Sequence, residues 1–166
     1  DNNDLGPNTG GMGAYSPAPI VTEEIHKQVM KKIIKPTIDG LKSEGITYKG
    51  FLYAGLMIKN SEISVLEFNC RFGDPETQPI LMRMESDLAE ICLLAAQGNL
   101  NEREISWTKD SALGVVIASK GYPFEYEKNK EINNLENENS RQKVFHAGTK
   151  TQEGKVLSNG GRVLCV

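Results

Sequence analysis

The sequence predicts an α+β fold, and three observations carry that prediction. Strand-like apolar runs and helix-period stretches are mixed without the strict alternation of a parallel βαβ array. Two of the runs, 50–58 and 63–68, are separated by Lys59-Asn60-Ser61-Glu62, a connection suited to an antiparallel hairpin. With 39% hydrophobic and 25% charged residues over 166 positions, the composition is that of a globular chain and argues against disorder or a coiled coil. The formal charge of −3 offers no basic surface for nucleic acid, and no apolar segment approaches the length that spans a bilayer.

The elements follow in order. The opening is turn-rich, with Gly6, Pro7, Asn8, Gly10, Gly11 and Gly13 leading into Ser16-Pro17-Ala18-Pro19. Thr22 is placed to cap a helix, with Glu23 and Glu24 at its positive end. Ile25, Val29, Ile33 and Ile34 recur at helical spacing, and Lys31, Lys32 and Lys35 fall mostly off that stripe. Pro36 should end or kink this helix, which Ile38 and Leu41 extend toward Gly45. His26 reads as a helix-surface residue.

After the two hairpin strands, 79–97 reads as one helix with a broad apolar face, stopped by Gly98. A strand over 112–119 follows, then a polar, loop-rich region in which the Asn/Glu-rich tract 131–142 reads as a surface insertion. "KVFHAGT" and "KVLSNGGRVLCV" read as two further strands. Cys70, Cys92 and Cys165 are odd in number and lack paired metal-ligand spacing. They read as small buried hydrophobes in a reducing cytoplasm. The first residue is Asp1 rather than Met, and the last segment reads as an unfinished strand, so a piece of a longer protein is expected.

The chemistry concentrates in "EFNCRFGDPETQ", residues 67–78, directly behind an apolar run. Residues two apart on a strand share a face, so Glu67 and Asn69 present two hard oxygen donors from one element, with Arg71 continuing that side if pairing stays extended. Such a pair suits Mg²⁺, which takes one or two protein oxygens and completes its shell with water and phosphate. An adjacent Arg can hold a carboxylate or phosphate through two bonds. The alternative is a surface ion pair between Glu67 and Arg71. "GPNTGGMGAY" is neither a Walker A loop nor a dinucleotide fingerprint. It reads either as a plain turn or as a nest of N–H groups for an anion.

Taken together and in this order, "GPNTGGMGAYSPAP", "GFLYAGLM", "EFNCRFGDPETQP", "SDL", "KGYP", "VFHAGT" and "NGGRVL" resemble the phosphoribosylamine–glycine ligases, or glycinamide ribonucleotide synthetases, of the ATP-grasp superfamily. The resemblance runs from end to end and is weakest over 127–142. It implies ATP-dependent joining of glycine to 5-phosphoribosylamine through glycyl phosphate, in cytoplasmic purine synthesis, with Mg²⁺ or Mn²⁺ as the metal. It implies the second lobe of an ATP-grasp fold, an antiparallel sheet with helices over 1–106, and from 107 the start of a small β-rich C-terminal domain. Trp107 is expected to pack at that boundary, and 63–68 to be a buried strand of the lobe's core sheet.

By the same resemblance Glu67 and Asn69 are metal ligands. Arg71 orients glycine carboxylate or its acyl phosphate, and Asp74 and Glu76 bind an amine or ribose hydroxyls. Asn8 falls where the family contacts nucleotide, and Gly10, Gly11 and Gly13 shape the substrate side of the cleft. Arg162 is a candidate for the ribose 5-phosphate; Lys150 is either a further ligand or a solvated strand-end lysine. The family's chains are more than twice as long, so the missing parts of its own chain join glycine, 5-phosphoribosylamine and ATP as expected partners, and this piece alone is not expected to turn over. Competing readings are another ATP-grasp carboxylate–amine ligase or carboxylase, or a non-catalytic metal-binding fragment.

Overall fold

A computed structural model of the chain describes residues 5–101, 103–136, 139 and 141–166. Residues 1–4, and positions 137, 138 and 140 of the Asn/Glu-rich tract, lie outside the described residues. Antiparallel strand pairs and short helices make up the fold, as an α+β chain requires. They divide between two compact units that are discontinuous in sequence. One comprises Asp1–Tyr15, Asp74–Met82 and Ala112–Val166, and the other Ser16–Gly73 and Arg83–Ser111.

The first unit is built on a four-stranded sheet in the order β1-β4-β8-β5, with β1 at Gly13–Ser16, β4 at Ala112–Ala118, β5 at Phe145–His146 and β8 at Arg162–Cys165. Its interior is Val116, Val163, Leu164 and Cys165, all buried. On β4 the alternation of a one-sided strand is plain. Gly114 and Val116 face inward, while Leu113, Val115 and Ile117 are exposed. The helix α3, Thr77–Arg83, covers the inner side with its buried Pro79. A Cβ at Gly114 would lie 3.4 Å from the Pro79 ring.

A separate hairpin pairs β6, Thr149–Gln152, with β7, Lys155–Ser158, through a turn in which Glu153 (φ 53°) and Gly154 (φ 75°) are both left-handed. "KVLSNGGRVLCV" therefore yields two strands rather than one, because Asn159-Gly160-Gly161 breaks the run, and "KVFHAGT" holds β5 and the first residue of β6. Part of the polar region is also more ordered than a surface insertion. Residues 129–132 run beside β7, with Asn129 N–H on Ser158 O at 2.7 Å and Ile132 N–H on Val156 O at 2.9 Å.

The second unit opens with the expected helix. Thr22 Oγ1 accepts from Ile25 N–H at 3.3 Å, and Ile25 is buried while His26 is exposed. Pro36 does not end it. The chain passes from α1, Glu23–Val29, through a π-helical segment, Met30–Ile34, into α2, Lys35–Ser43. In that segment Lys35 N–H reaches back to Met30 O. A proline in a helix has no N–H to donate and crowds the carbonyl four residues back, and one wider turn relieves both problems.

The hairpin of β2, Tyr53–Lys59, and β3, Glu62–Asn69, turns at Asn60 and Ser61, whose φ values of 51° and 64° are those of a type I′ turn. The expectation of a buried strand over 63–68 is corrected: Val65, Leu66 and Phe68 are 43%, 63% and 41% exposed. Two strands alone leave both faces of a ribbon open, so alternation cannot bury either one.

The single helix expected over 79–97 is likewise two. The first is α3. Met84 then forms a β-bridge with Trp107, and Asp87 caps α4, Leu88–Gln97, by accepting from Ala89 and Glu90 N–H at 2.8 and 3.1 Å. Gly98 ends α4 with φ 76°, as expected. Trp107 is 42% exposed at its bridge to Met84. Among the cysteines only Cys165 fits the reading of a buried hydrophobe without reserve; Cys92 is half-buried and Cys70 exposed, and all three are free thiols.

Candidate functional site

In the second unit, β3 delivers the paired oxygens. A bulge between Gly55 and Leu56 puts Gly55 opposite Glu67 and Leu56 opposite Val65, leaving Leu66 as the extra residue. A bulge re-aims the side chains that follow it. Beyond it Glu67 and Asn69 do share a side, for Asn69 Nδ2 donates to Glu67 Oε1 at 3.0 Å. That bond uses the amide nitrogen and leaves the Asn69 carbonyl oxygen as a second hard donor. Gly55 leaves room opposite, since a Cβ there would stand a tight 3.1 Å from Glu67 Cγ. The strand then ends. Arg71 does not continue the ladder, and its Nη1 donates to Phe72 O at 2.8 Å. The Phe72 ring stacks on Phe51 with centroids 3.8 Å apart, which fixes the chain just past Arg71. Tyr48 donates to Phe51 O at 2.6 Å, and burial followed by its hydrogen bond to Cys70 raises its pKa.

In the first unit, Asp74 and Arg162 form the polar centre. Arg162 Nη2 lies 2.7 Å from Asp74 Oδ2 and Nη1 lies 3.2 Å from Oδ1, while Nη1 also donates to Gly11 O at 3.0 Å. One guanidinium thus joins β8, the Gly-rich loop and the Asp74 segment. The glycines are where bulk would collide. A Cβ on Gly10 would stand 2.7 Å from Arg162 Cζ, and one on Gly11 would strike the ring of Pro75, which is fully buried. Gly13 serves the approach of β1 to β4, where a Cβ would be 2.8 Å from Gly114 O.

Asn8 is exposed on the same loop, Glu76 accepts from Ile80 N–H at 3.2 Å in the first turn of α3, and Lys150 lies half-buried on β6 opposite Leu157. Behind the ion pair the Cys165 thiol is pushed up, first by burial and then by the Asp74 charge.

Three contributors escaped the sequence reading: Gly55, Gln78 and Tyr122, whose hydroxyl accepts from Gly10 N–H at 2.9 Å. Tyr122 lies in "KGYP", a segment noticed only as part of a likeness, and a partner 112 residues from Gly10 leaves no local signal. Among the described residues no group of three or more His, Cys, Asp or Glu side chains is placed to hold a metal. No helix of the described residues is long and apolar enough to cross a membrane.

Comparison with known proteins identifies the family. Residues 1–77 match the model of the phosphoribosylglycinamide synthetase ATP-grasp (A) domain, and residues 112–166 match that of the phosphoribosylglycinamide synthetase C domain. Phosphoribosylamine–glycine ligases from Pasteurella multocida and Salmonella typhimurium are 56% and 58% identical over 99% of this chain. The chain spans 38% and 39% of their lengths, so it corresponds to about two fifths of these relatives. The crystal structure of a phosphoribosylamine–glycine ligase from Thermotoga maritima superposes with a TM-score of 0.82 at 37% identity, over 98% of this chain and 40% of that one. With both halves of the chain matched by domains of one enzyme family, and with the fold shared by a solved member, this chain belongs to the phosphoribosylglycinamide synthetase family.

Proposed function

We propose that this chain is part of a phosphoribosylamine–glycine ligase, an enzyme that joins glycine to 5-phosphoribosylamine with conversion of ATP to ADP and phosphate. The observation that carries this reading is the family match at both ends of the chain. The paired oxygens of Glu67 and Asn69 support it. The two matches stop at 77 and resume at 112, which supports a division into an ATP-grasp lobe over 1–106 and the start of a C-terminal domain from 107.

The chemical problem is that a carboxylate is a poor acyl electrophile and must react beside an anionic phosphate chain. Glu67 and Asn69 fit Mg²⁺ or Mn²⁺, because their donors are hard oxygens on one side of one strand. When bound there, the ion supplies charge neutralisation for the ATP phosphates. Arg71 holds the carboxylate of glycine, and later its acyl phosphate, as a planar guanidinium is suited to do. Asp74 and Glu76 accept hydrogen bonds from the amine or hydroxyls of phosphoribosylamine, and Arg162 takes its phosphate. Asn8 contacts nucleotide, while Gly10, Gly11 and Gly13 let the loop lie close to the substrate. The three free thiols suit a reducing cytoplasm.

The test is ADP release by the complete gene product, measured with glycine and phosphoribosylamine each present or omitted. Release that needs both substrates supports the reading. A folded protein that binds Mg²⁺-ATP but ignores both substrates is a different ATP-grasp ligase, and one that binds metal without nucleotide is a non-catalytic relative.

A further inference from the structure

Behind the Asp74–Arg162 pair lies a cavity of about 190 Å³, lined by Asp74, Gln78 and Arg162 on its polar side and by Val116, Leu164 and Cys165 among its apolar walls. Gln78 is one of its lining residues, and the Gln78 Oε1 atom is buried with no hydrogen-bond partner among the described residues. Leaving a buried acceptor unmade costs about 1–3 kcal/mol, and folded proteins keep few of them. Polar neighbours set what the oxygen can receive. The guanidinium of Arg162 is already held by the Asp74 carboxylate and by Gly11 O. The cavity therefore offers two acceptors, one amide oxygen and one carboxylate, beside a cation that is partly neutralised. Such a lining selects a ligand rich in N–H or O–H groups that carries an anion nearby. A hydroxyl is one donor that a buried amide oxygen can accept from.

We propose that Gln78 is a specificity-determining residue that accepts a hydrogen bond from a sugar hydroxyl of a phosphorylated pentose bound in this cavity. This rests on the reading of the chain as part of a phosphoribosylamine–glycine ligase, and it adds a residue to which that reading assigned no role. A site that commits a buried acceptor to a hydroxyl discriminates strongly against a ligand that lacks it, because the acceptor is then stranded.

The experiment uses the complete gene product and calorimetric titration with ribose 5-phosphate, inorganic phosphate and Mg²⁺-ATP, alongside glycine- and phosphoribosylamine-dependent ADP release. Gln78→Met keeps the length of the side chain and removes the acceptor. Expected is a loss of about tenfold in ribose 5-phosphate affinity in Gln78→Met, with inorganic phosphate and Mg²⁺-ATP binding unchanged. A wild-type protein that turns over while Gln78→Met binds ribose 5-phosphate normally overturns this inference alone. So does a variant that loses all three ligands equally, since that marks a packing role. A folded wild-type protein that shows neither ribose 5-phosphate binding nor substrate-dependent ADP release overturns the functional reading, and this inference with it.

Discussion

Arg162 and Asp74, 88 positions apart in sequence, meet through two hydrogen bonds of 2.7 and 3.2 Å, and the same guanidinium reaches the Asp74 and Gly11 carbonyls. The arginine expected to meet a ligand phosphate is thus held by a carboxylate of its own unit. The two roles are compatible if phosphate exchanges with Asp74 at the guanidinium. The arrangement makes Arg162 a structural tie in the absence of ligand. The pair is only partly shielded, with side chains 24% and 58% exposed, so its Coulombic part is small.

Arg162→Ala should therefore lower the stability of the chain by about 1–2 kcal/mol, most of it from carbonyls and a carboxylate left without their donor. Asp74→Asn should cost less, about 0.5–1 kcal/mol, and the loss should shrink at high salt. Urea unfolding of both single variants and the double variant gives the coupling. Strict additivity would mean that the two side chains do not stabilise one another. In the complete gene product Arg162→Ala should raise the KM for phosphoribosylamine more than that for ATP, and equal rises would remove Arg162 from the phosphate site.

Glu67→Gln tests the oxygen pair on β3. It keeps the shape of the side chain and its hydrogen bond to Asn69 within reach, but removes the charge that a divalent cation needs. Manganese binding to the complete gene product, followed by electron paramagnetic resonance, should weaken by at least about tenfold, a loss of roughly 1.4 kcal/mol. Substrate-dependent ADP release should fall with it. Unchanged turnover at saturating Mg²⁺ would take Glu67 out of the metal site.

What the sequence made legible was local. The Thr22 cap, the Gly98 stop, the Asn60-Ser61 turn and the i, i+2 relation of Glu67 to Asn69 all depend on residues within one or two turns of each other, and all appear as read. Misreadings came where a second element decides the outcome. Apolar periodicity over 79–97 could not reveal that Met84 would bridge to Trp107 and that Asp87 would begin a new helix. Alternation over 63–68 marks a strand but not the number of its neighbours, so burial was over-read. Pro36 reads as an end or a kink with the helix resuming toward Gly45; the helix does resume, and what periodicity could not show is the π turn that carries it there. In the candidate site the metal-type pair was visible, whereas the Asp74–Arg162 tie and the orphaned Gln78 oxygen needed residues distant in sequence to be brought together.

The Gly-rich loop supplies a steric test. Gly11 faces Pro75, a rigid ring that is fully buried and has nowhere to move, whereas Gly10 faces the end of a flexible arginine. Gly11→Ala should therefore cost more, about 2–3 kcal/mol against about 1 for Gly10→Ala, by overpacking. Thermal unfolding of the two variants ranks them. The reverse order would mean that the loop can lift away from Pro75 without penalty.

Cys165 gives the chain an alkaline weakness. The thiol is 2% exposed, and burial, with the Asp74 charge second, raises its pKa above the ordinary 9.0. Below 9.0 the thiol is protonated in both folded and unfolded chains, and the stabilisation from keeping it neutral is fully present. As pH climbs past that value the unfolded chain releases the proton while the folded chain retains it, so the unfolded state is favoured by up to about 1.4 kcal/mol per pH unit until the folded thiol also ionises. Cys165→Ala removes this titration at the cost of a small cavity that does not depend on pH. Tyr48 and Lys155 are also raised, but both remain in the variant and cancel in the comparison. Urea unfolding at intervals from pH 7 to 10.5 should therefore show the stability advantage of wild type over Cys165→Ala constant up to about pH 8.5 and shrinking above it. A difference that stays flat through pH 10.5 would mean that the thiol ionises as readily in the folded chain as in the unfolded one.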